Sequence, residues 1–397
     1  MYWLCKIAYF NVRDGMNIHL YPTPLTMESR IARITGILAD HKIFNRIVTV
    51  GTQVDDLPDS QTLDSVRSIV RVPRRWESSN NLLGKVIKTT SWSSRVSHKL
   101  ADWKIDCINC HSLPLLPLCV RLKKRHGAKL IYDPHELETE SVTSRGIRRL
   151  MLRRIERKLI HEADACVFVS HAIAQWYREK YQLSNTTVFR NIPRGQAATA
   201  PAKSRILRDK FRISDEHIVF IYQGGLYRHR RIEDLLDIFA TTPLDRHIIF
   251  MGFGELEDLV RQYAARHPNI HFHPAVPQQE VLNYTQGADI GICATENLCQ
   301  SHYYSLPNKF FEYMFAGIGV IIPDLPEMSS IVRQYGNGFV VTEDSHAGWV
   351  SAIARITRQK ISLTKEASVR TCPDFSSEKE VATLVAAYRQ IIKPTPA

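Results

Sequence analysis

Three short stretches of the sequence combine residue types that could bind an anionic ligand and act on it. They are YQGGLYRHRR at 222–231, SLPNKFFEYMFAG at 305–317 and YDPHELETE at 132–140. In the first stretch, Gly224 and Gly225 allow the backbone to turn tightly and to approach a ligand closely. The arginines that follow them are Arg228, Arg230 and Arg231. Their forked donors suit the oxygens of a diphosphate, although the stretch also fits an ordinary strand-to-helix turn followed by a solvated basic segment.

Glu312 is unusual because its carboxylate lies on a predicted helix that is otherwise rich in Phe, Tyr, Met and Ala. A charged group in an apolar setting costs free energy unless a partner binds it. Residues 305–308 predict a turn, and the helix then runs from Lys309 to Ala316 with Gly317 as its stop. A carboxylate near a helix N-terminus can accept two neighbouring hydroxyls, as acidic residues do with ribose in dinucleotide folds. The i, i+3 spacing equally allows an ion pair with Lys309.

His135 follows a predicted strand and is expected at the carboxyl edge of its sheet. An imidazole in that place can donate to a sugar hydroxyl or carry a proton. The alternative is a polar side chain that is satisfied within the fold. The carboxylates around it are candidates for neutralising nearby arginines, and they are Asp133, Glu136, Glu138 and Glu140.

Strand-like apolar runs alternate with amphipathic helical runs, which predicts two successive doubly wound α/β domains with parallel sheets. The predicted strands of the first half are KIAYFNV, RIVTVGT, SIVRVP, KIDCINCH, KLIYDPH and ACVFVSH. The segment RGQAATAPAKS predicts a linker, which places an N-terminal domain at 1–195 and a C-terminal domain at 205–375. A last helix and tail at 376–397 are expected to cross back to the N-terminal domain. Because ligands bind at the carboxyl ends of parallel strands, the three stretches are expected to face a cleft between the domains.

The excess positive charge belongs to the first half of the chain. The net charge is +12, with +13 carried by residues 1–200 and −1 by residues 201–397. An anionic partner is therefore expected at the N-terminal domain, with nucleic acid, anionic lipid and a phosphorylated acceptor all open. The helical pattern at 148–163 interleaves apolar residues with Arg and Lys. It could lie on an anionic bilayer, or it could be a core helix with a basic solvent face.

The sequence predicts neither a disulfide framework nor a metal site. The eight cysteines are scattered through apolar contexts and indicate reduced, buried thiols. The sequence has no D-x-D, H-E-x-x-H or P-loop pattern, so no metal ion and no bound cofactor are expected. No run approaches 18 apolar residues, and the first residues do not form a signal-peptide pattern. A cytoplasmic protein is expected, with the inner face of the plasma membrane as a surface that it could touch.

Taken together, these stretches resemble the GT-B glycosyltransferases of family 4, the retaining nucleotide-sugar enzymes. The segment SLPNKFFEYMFAGIGVIIPDLPEMSSIV is similar to the S-L-P-N-K-x-F-E-Y-M-A-A-G-x-P-V segment of bacterial polysaccharide-type members. YQGGLYRHRRIEDLL resembles their diphosphate-binding turn, and YDPHELETE resembles their Y-D-x-H-E segment. DACVFVSHAIAQWYREKY and FRNIP are similar to the last elements of their N-terminal domain. The resemblance covers nearly the whole chain and implies a GT-B fold.

The resemblance implies a role for each stretch. Glu312 matches the second glutamate of the family's E-x7-E motif and is expected to hold the donor ribose. Tyr304 stands where the first glutamate usually contacts the donor sugar, and Pro307 removes one backbone N–H from the same loop. His135 matches the histidine that faces the donor sugar. The residues expected to bind the donor nucleotide and its diphosphate are Gly15 in the first loop, Gly224, Gly225, Arg228, Arg230, Arg231, Ser305, Leu306, Asn308 and Lys309.

The implied activity is transfer of a sugar, with retention and without a metal ion, from a UDP- or GDP-linked sugar. The implied acceptor is a glycan or a polyprenyl-diphosphate-linked oligosaccharide of cell-surface polysaccharide synthesis, and the implied catalytic residues are His135, Arg230 and Glu312. A GT-B nucleotide-sugar epimerase or hydrolase is a second hypothesis. A catalytically silent nucleotide-sugar binding subunit, suggested by Tyr304, is a third. The basic charge permits a nucleic-acid binder, but the sequence has no recognised nucleic-acid-binding module.

Overall fold

The computed structural model describes residues 15–26, 28–74, 82–193, 198–200 and 204–392 of the 397-residue chain. These residues form two compact units. The N-terminal unit consists of the described parts of Met1–Val169, Ile173–Phe189 and Val381–Ala397, and the C-terminal unit of Ser170–Ala172 and the described part of Arg190–Glu380. The expected α/β class with two Rossmann-like parallel sheets is confirmed.

Eight strands form the sheet of the N-terminal unit. They are β1 Met16–Leu20, β2 Arg46–Gln53, β3 Ser60–Thr62, β4 Arg67–Pro73, β5 Cys107–Cys110, β6 Lys129–Tyr132, β7 Ala165–Phe168 and β8 Thr186–Val188. Their order is β3-β4-β2-β1-β5-β6-β7-β8, and all neighbours run parallel except β3, which is antiparallel to β4. The helices between them are α1 Ser29–Asp40, α2 Leu82–Lys99, α3 Leu116–His126, α4 Gly146–Leu159 and α5 His171–Tyr181.

The central strand β1 corrects the sequence prediction. Its sequence MNIHL alternates polar with apolar residues, and both polar side chains, Asn17 and His19, are fully buried within a hydrogen-bonded network. Gly15, expected in the loop after the first strand, directly precedes β1 and lies at its amino end, and this placement does not support its expected role. Ligands bind at the carboxyl ends of parallel strands, at the opposite edge of the sheet. The predicted strand KIAYFNV lies outside the described residues.

Six parallel strands form the sheet of the C-terminal unit. They are β9 Ile218–Gly225, β10 Arg246–Phe253, β11 Ile270–Pro274, β12 Ile290–Ile292, β13 Gly319–Pro323 and β14 Gly338–Val341, in the order β11-β10-β9-β12-β13-β14. The helices of this unit are α6 Ile206–Phe211, α7 Ile232–Thr241, α8 Glu257–Arg266, α9 Val281–Thr285, α10 Gln300–Tyr303, α11 Asn308–Phe315, α12 Pro326–Tyr335, α13 His346–Ala354 and α14 Arg358–Thr371. In neither unit does a described helix combine the length and apolarity needed to cross a bilayer.

The last helix, α15 Ser377–Ile392, completes the core of the N-terminal unit. Leu384, Val385 and Tyr388 are buried in the same apolar cluster as residues of α1 and β7. The Asn109 amide donates to the Tyr388 hydroxyl at 2.5 Å, which ties the helix to the carboxyl half of β5. The expectation that the last helix returns to the N-terminal unit is confirmed.

Replacing Leu384 by alanine is expected to destabilise the N-terminal unit by about 2–5 kcal/mol, because it removes a fully buried side chain and leaves a cavity. Urea unfolding followed by circular dichroism measures the change. The matched control is Gln390→Ala, an exposed position of the same helix, which should leave the unfolding midpoint within experimental error. Equal midpoints for the two variants would show that α15 contributes nothing to the core.

Candidate functional site

Glu312 lies in the second turn of α11, and its carboxylate is held by two side-chain amides. Gln223 Nε2 donates to Oε2 at 2.6 Å, and Gln278 Nε2 donates to Oε1 at 3.1 Å. The described residues contain no ion pair between Glu312 and Lys309, which was the alternative that the spacing allowed. The Lys309 ammonium instead lies 3.7 Å from the centroid of the Tyr222 ring. The amides fix the carboxylate in place without neutralising it, so it remains an anionic acceptor for hydroxyl groups.

Tyr313 anchors α11 to the ends of two strands. Its hydroxyl accepts from the backbone N–H of Gln223 at 3.1 Å and donates to the carbonyl of Ile292 at 3.2 Å. Its ring lies against Gly291, where a Cβ would come within 2.1 Å of the ring, so only glycine fits there. Since Ile292 ends β12 and Gln223 lies near the end of β9, this contact places Glu312 at the carboxyl edge of the sheet.

The turn at residues 222–231 leaves the side chains of two arginines available to a ligand. Gly224 adopts a φ of +107°, which glycine tolerates and other residues rarely adopt. The Arg228 backbone N–H donates to Glu255 at 3.0 Å, which fixes the turn. The side chains of Arg228 and Arg230 form no ion pair with a carboxylate of the described residues. These two arginines are therefore the basic pair that this turn offers to a ligand.

Arg231 is instead built into the fold of the C-terminal unit. Its buried guanidinium donates to Asp234 at 2.8 Å and to Asp344 at 2.6 Å, and it lies over the Trp349 ring. Its expected role in binding a diphosphate is not supported by this placement, because its charge is already compensated by two carboxylates.

Three charged groups converge on the buried thiol of Cys293, which follows β12. Burial raises the pKa of this thiol to about 12, the positive charge of Lys309 opposes the rise, Glu312 adds to it, and Arg230 opposes it. A Cβ at Gly224 would lie 3.7 Å from Lys309 Nζ, which places this ammonium at the carboxyl end of β9. Lys309 and Glu312 thus lie at this edge of the sheet, and the charge of Arg230 acts on the same thiol.

The loop before α11 offers few side chains to a ligand. Leu306 belongs to the apolar core of the unit, so only its main chain is available. The Ser305 hydroxyl oxygen is buried and has no hydrogen-bond partner among the described residues. Asn308 begins α11 directly after Pro307, which has no N–H. Ser305 and the first turn of α11 are thus the polar groups of this loop.

In the N-terminal unit, His135 ends a hydrogen-bonded chain of imidazoles. His135 Nε2 lies 3.2 Å from His111 Nδ1, His111 Nε2 lies 2.8 Å from His19 Nδ1, and His19 Nε2 lies 2.6 Å from Asn17 Oδ1. The Asn17 amide nitrogen donates to Asn109, so Asn17 Oδ1 must accept and His19 must carry a proton on Nε2. Burial lowers the pKa of His19 and keeps it neutral, so its Nδ1 accepts from His111 Nε2.

Asp133 is the buried countercharge of this chain. Arg30 donates to one oxygen of Asp133 through Nε at 3.0 Å and Nη2 at 2.7 Å, and the second oxygen lies 3.1 Å from His111 Nδ1. Burial alone would raise the pKa of Asp133, but the charge of Arg30 and the hydrogen bond from His111 hold it well below its usual range. Glu140 likewise pairs with three cations of the same unit. Two of the four acidic neighbours of His135, Asp133 and Glu140, therefore neutralise basic side chains, as one of the sequence alternatives held.

His111, Asp133 and His135 offer three ligand atoms within 4.8 Å of one another and could hold a metal ion. All three already have hydrogen-bond partners in the protein, and one oxygen of Asp133 is taken by Arg30. Burial lowers the pKa of His135 to about 3, so its imidazole is neutral at physiological pH. A neutral imidazole can orient a hydroxyl group as well as it can bind a metal.

A cavity of about 210 Å³ opens beside His135, where β1, β5 and β6 end. Its lining residues are Tyr21, His111, Ser112, His135, Glu136 and Glu138. Glu138 accepts from the Leu113 N–H at 2.6 Å and from the Ser112 hydroxyl at 3.1 Å. Burial raises the pKa of Glu138 to about 8, so its carboxyl is largely protonated at neutral pH. The cavity therefore presents mainly neutral donors and acceptors, which suit a polyhydroxylated ligand.

Sequence reasoning missed four residues that support the two candidate centres. His111 directly follows β5 in the same way that His135 follows β6, so the strand-end rule could have found it. His19 lies within a strand that was not predicted. Gln223 and Gln278 lie 89 and 34 residues from the carboxylate that they hold, and no local signal points to them.

Two family models match the chain in succession. Residues 26–191 match the model described as a glycosyl transferase 4-like domain, and residues 217–359 match the model described as glycosyl transferases group 1. Among curated proteins, no sequence matches the chain.

Solved structures share the architecture over nearly the whole chain. Sucrose-phosphate synthase from Thermosynechococcus elongatus has a TM-score of 0.77 at 13% identity, covering 95% of this chain and 98% of its own. Anabaena Alr3699/HepE in complex with UDP-glucose has a TM-score of 0.66 at 14% identity, covering 95% and 98%. WaaG, a glycosyltransferase involved in lipopolysaccharide biosynthesis, has a TM-score of 0.66 at 14% identity, covering 95% and 99%. At these identities the likeness shows a common fold.

The raised pKa of Glu138 predicts a pH-dependent stability. Between about pH 4.5 and pH 8 the unfolded chain releases a proton that folded Glu138 keeps, so this group lowers the free energy of unfolding as the pH rises. Glu138→Gln should therefore match the wild type near pH 5 and be more stable at pH 8.5. Thermal unfolding at both pH values measures the difference.

The control for this comparison is Glu179→Gln, an exposed carboxylate on α5 of the same unit, which should show no such divergence. A Glu138→Gln midpoint that stays parallel to the wild type from pH 5 to pH 8.5 would mean that the Glu138 carboxyl ionises in its ordinary range.

Proposed function

Because the chain belongs to the GT-B glycosyltransferases, with a glycosyl transferase 4-like domain followed by a group 1 domain, we propose that it transfers a sugar from a nucleoside-diphosphate sugar to a glycan or lipid-linked acceptor. The proposal includes retention of configuration, independence of metal ions and a role in cell-surface polysaccharide synthesis. UDP- and GDP-sugars are the proposed donors. The likeness to HepE, solved with UDP-glucose, and to WaaG supports a nucleotide-sugar donor and a glycan product.

The observation that carries the proposal is the Glu312 carboxylate, which is oriented by Gln223 and Gln278 and forms no ion pair with a cation of the described residues. Two adjacent ribose hydroxyls can donate to its two oxygens, each of which has a second lone pair free. Partial burial of the Glu312 carboxylate costs free energy when no nucleotide is bound, and the hydrogen bonds from the two amides offset part of that cost. The amides also fix the carboxylate before the ligand binds, which reduces the entropic cost of binding.

The diphosphate is the leaving group, and its negative charge grows as the glycosidic bond breaks. Arg230 and Lys309 supply positive charge near Glu312, Arg228 adds a third cation from the turn at 222–231, and the first turn of α11 supplies unpaired N–H groups. Interactions that strengthen as this charge develops stabilise the transition state more than the bound donor. The same cations replace a divalent metal in the proposal.

The proposal assigns an orienting role to His135. Its imidazole is neutral at physiological pH and is fixed by His111, so it can hold a hydroxyl of the donor sugar in a single orientation. Retention by front-face attack requires no protein base, because the departing phosphate accepts the proton of the acceptor hydroxyl. The polar cavity next to His135 supports this role, since most of its groups are uncharged.

A catalytically silent nucleotide-sugar binding subunit is the second candidate. Tyr304 favours it, because it stands where the resemblance places a glutamate that contacts the donor sugar. The two candidates differ in turnover. Release of free nucleotide that depends on an added acceptor supports the transferase, and tight binding without release in the presence of acceptor supports the subunit.

Nucleotide-induced stabilisation tests the donor site. UDP or GDP is expected to raise the melting temperature of the wild type, and Glu312→Ala should abolish the rise because the ribose loses its acceptor. Differential scanning fluorimetry with UDP, GDP, ADP, CMP and dTDP at millimolar concentration measures it. The control is Glu233→Ala, an exposed carboxylate on α7, which should retain the full shift. If no nucleotide stabilises the wild type, the transferase proposal loses its donor.

Substitutions of Arg230 and Arg231 are expected to affect different properties, nucleotide binding for Arg230 and stability for Arg231. Arg230→Gln should weaken nucleotide affinity about tenfold or more at an unchanged melting temperature, because its side chain forms no ion pair within the described parts of the chain. Arg231→Gln should lower the melting temperature, because Asp234 and Asp344 lose their shared cation. The nucleotide affinity and the melting temperature are measured by calorimetry in EDTA. The affinities should be the same when they are measured in Mg²⁺ or Mn²⁺ without EDTA. A requirement for metal would redirect attention to His111, Asp133 and His135.

A further inference from the structure

An apolar cavity of about 440 Å³ lies between α2, α3 and α4 of the N-terminal unit, and we call it the α2–α4 cavity. Apolar side chains that line it are Val86, Leu118, Met151, Leu152 and Ile155. The cations that line it are Arg74, Lys85, Lys88, Arg121 and Arg148. Its volume lies in the range of small-molecule sites, which are mostly apolar with a few placed polar groups. Nothing in the glycosyl-transfer chemistry described above uses it.

The positive charge around the α2–α4 cavity is not compensated within the described residues. None of the five lining cations forms an ion pair with a described carboxylate, and the described lining contains no Asp or Glu. Arg74 and Arg148 donate to main-chain carbonyls, those of Pro22 at 2.8 Å and Thr143 at 2.6 Å. Arg74, Lys85 and Arg121 are exposed, so their charges are hydrated when no ligand is bound and are accessible to an anion. The lining therefore favours an occupant that is apolar along its length and anionic at one end.

The surface beside the cavity is also apolar. On α4, Ile147, Leu150 and Met151 are 66%, 56% and 38% exposed, and their i, i+3 and i+4 spacing puts them on one stripe. Met151 belongs both to this stripe and to the cavity lining, so the two apolar surfaces are continuous. Exposed apolar surface that is bordered by basic residues is characteristic of contact with an anionic lipid.

We propose that the α2–α4 cavity binds the apolar chain of a polyprenyl phosphate or diphosphate, with the phosphate group held by the cations of its lining. The proposal rests on the proposed function and names its acceptor class, a sugar linked through phosphate to a polyprenyl chain. A glycan without a lipid would leave the apolar lining unused. Free nucleotide or inorganic phosphate would leave it equally unused, so the combination of apolar lining and unpaired cations selects a lipid with an anionic end.

Farnesyl phosphate is the probe for the first experiment, because it is short enough to be studied without detergent. Its binding to the full chain is measured by calorimetry in buffer without phosphate or diphosphate. One saturable site is expected. Val86→Trp, which fills the cavity from a partly exposed position, should weaken binding at least tenfold. The double variant Lys88→Gln/Arg121→Gln should weaken it by a similar factor.

Leu150→Ser is the matched control, since Leu150 lies on the exposed stripe but does not line the cavity, and it should bind farnesyl phosphate normally. Equal affinity for the wild type and Val86→Trp would overturn the proposal, as would equal affinity for farnesyl phosphate and inorganic phosphate. Flotation with phosphatidylglycerol vesicles covers the alternative of a bilayer contact. Vesicle binding that is lost in Leu150→Ser, without saturable binding of farnesyl phosphate, would assign this surface to the bilayer and refute the cavity site.

The same samples separate this proposal from the donor proposal. Stabilisation by a nucleotide without binding of farnesyl phosphate refutes only the lipid site. Binding of farnesyl phosphate without stabilisation by any nucleotide leaves the cavity site standing and removes the donor assignment.

Discussion

The candidate site of the C-terminal unit depends on a single phenol hydroxyl. Tyr313 joins α11 to β9 and β12 because its oxygen accepts from one strand and donates to the other. Without this joint, the hydrogen bonds of Gln223 and Gln278 to the Glu312 carboxylate would remain, but the helix itself would be positioned largely by apolar contacts, which are not directional. Residue 291 must be glycine in this arrangement, because the Tyr313 ring occupies the space that a side chain would need. The Glu312 carboxylate is therefore positioned by the directional hydrogen bonds that its neighbour Tyr313 makes to β9 and β12.

In the N-terminal unit, His135 is oriented by a chain of buried hydrogen bonds. Its orienting chain runs from Asn17 through His19 and His111 to His135, and each member sets the proton position of the next. Buried polar networks of this kind stabilise one arrangement only if every member is satisfied. Asp133 supplies the charge that balances Arg30 and completes the network. The two units thus hold their half-buried polar groups, Glu312 and His135, by long-range hydrogen bonds from residues of the sheets and the adjoining loops.

The sequence was informative where the signal is local and silent where it is not. The glycine turn after β9 and the helix of Glu312 were predictable because turn residues, helix stops and apolar periodicity act over a few positions. Strand β1 was missed because Asn17 and His19 make it polar, and their partners lie about 90 residues away. Spacing alone could not separate Arg230 from Arg231, since the difference lies in carboxylates supplied by distant parts of the chain. The resemblance to a family restored some of this information, because it encodes tertiary contacts that no local pattern carries.

The position of α15 has a consequence for how the protein is made. The N-terminal unit is assembled from both ends of the chain, so a ribosome has synthesised the whole C-terminal unit before Leu384 and Tyr388 become available to the core that they complete. Domains generally fold in the order of synthesis, from the N-terminus onwards. Here the C-terminal unit is complete first, while the N-terminal unit, whose strands are made earlier, still has an open apolar face that its last helix must cover. The protein is therefore expected to depend on protection of that face during synthesis, and its N-terminal unit is completed after its C-terminal unit.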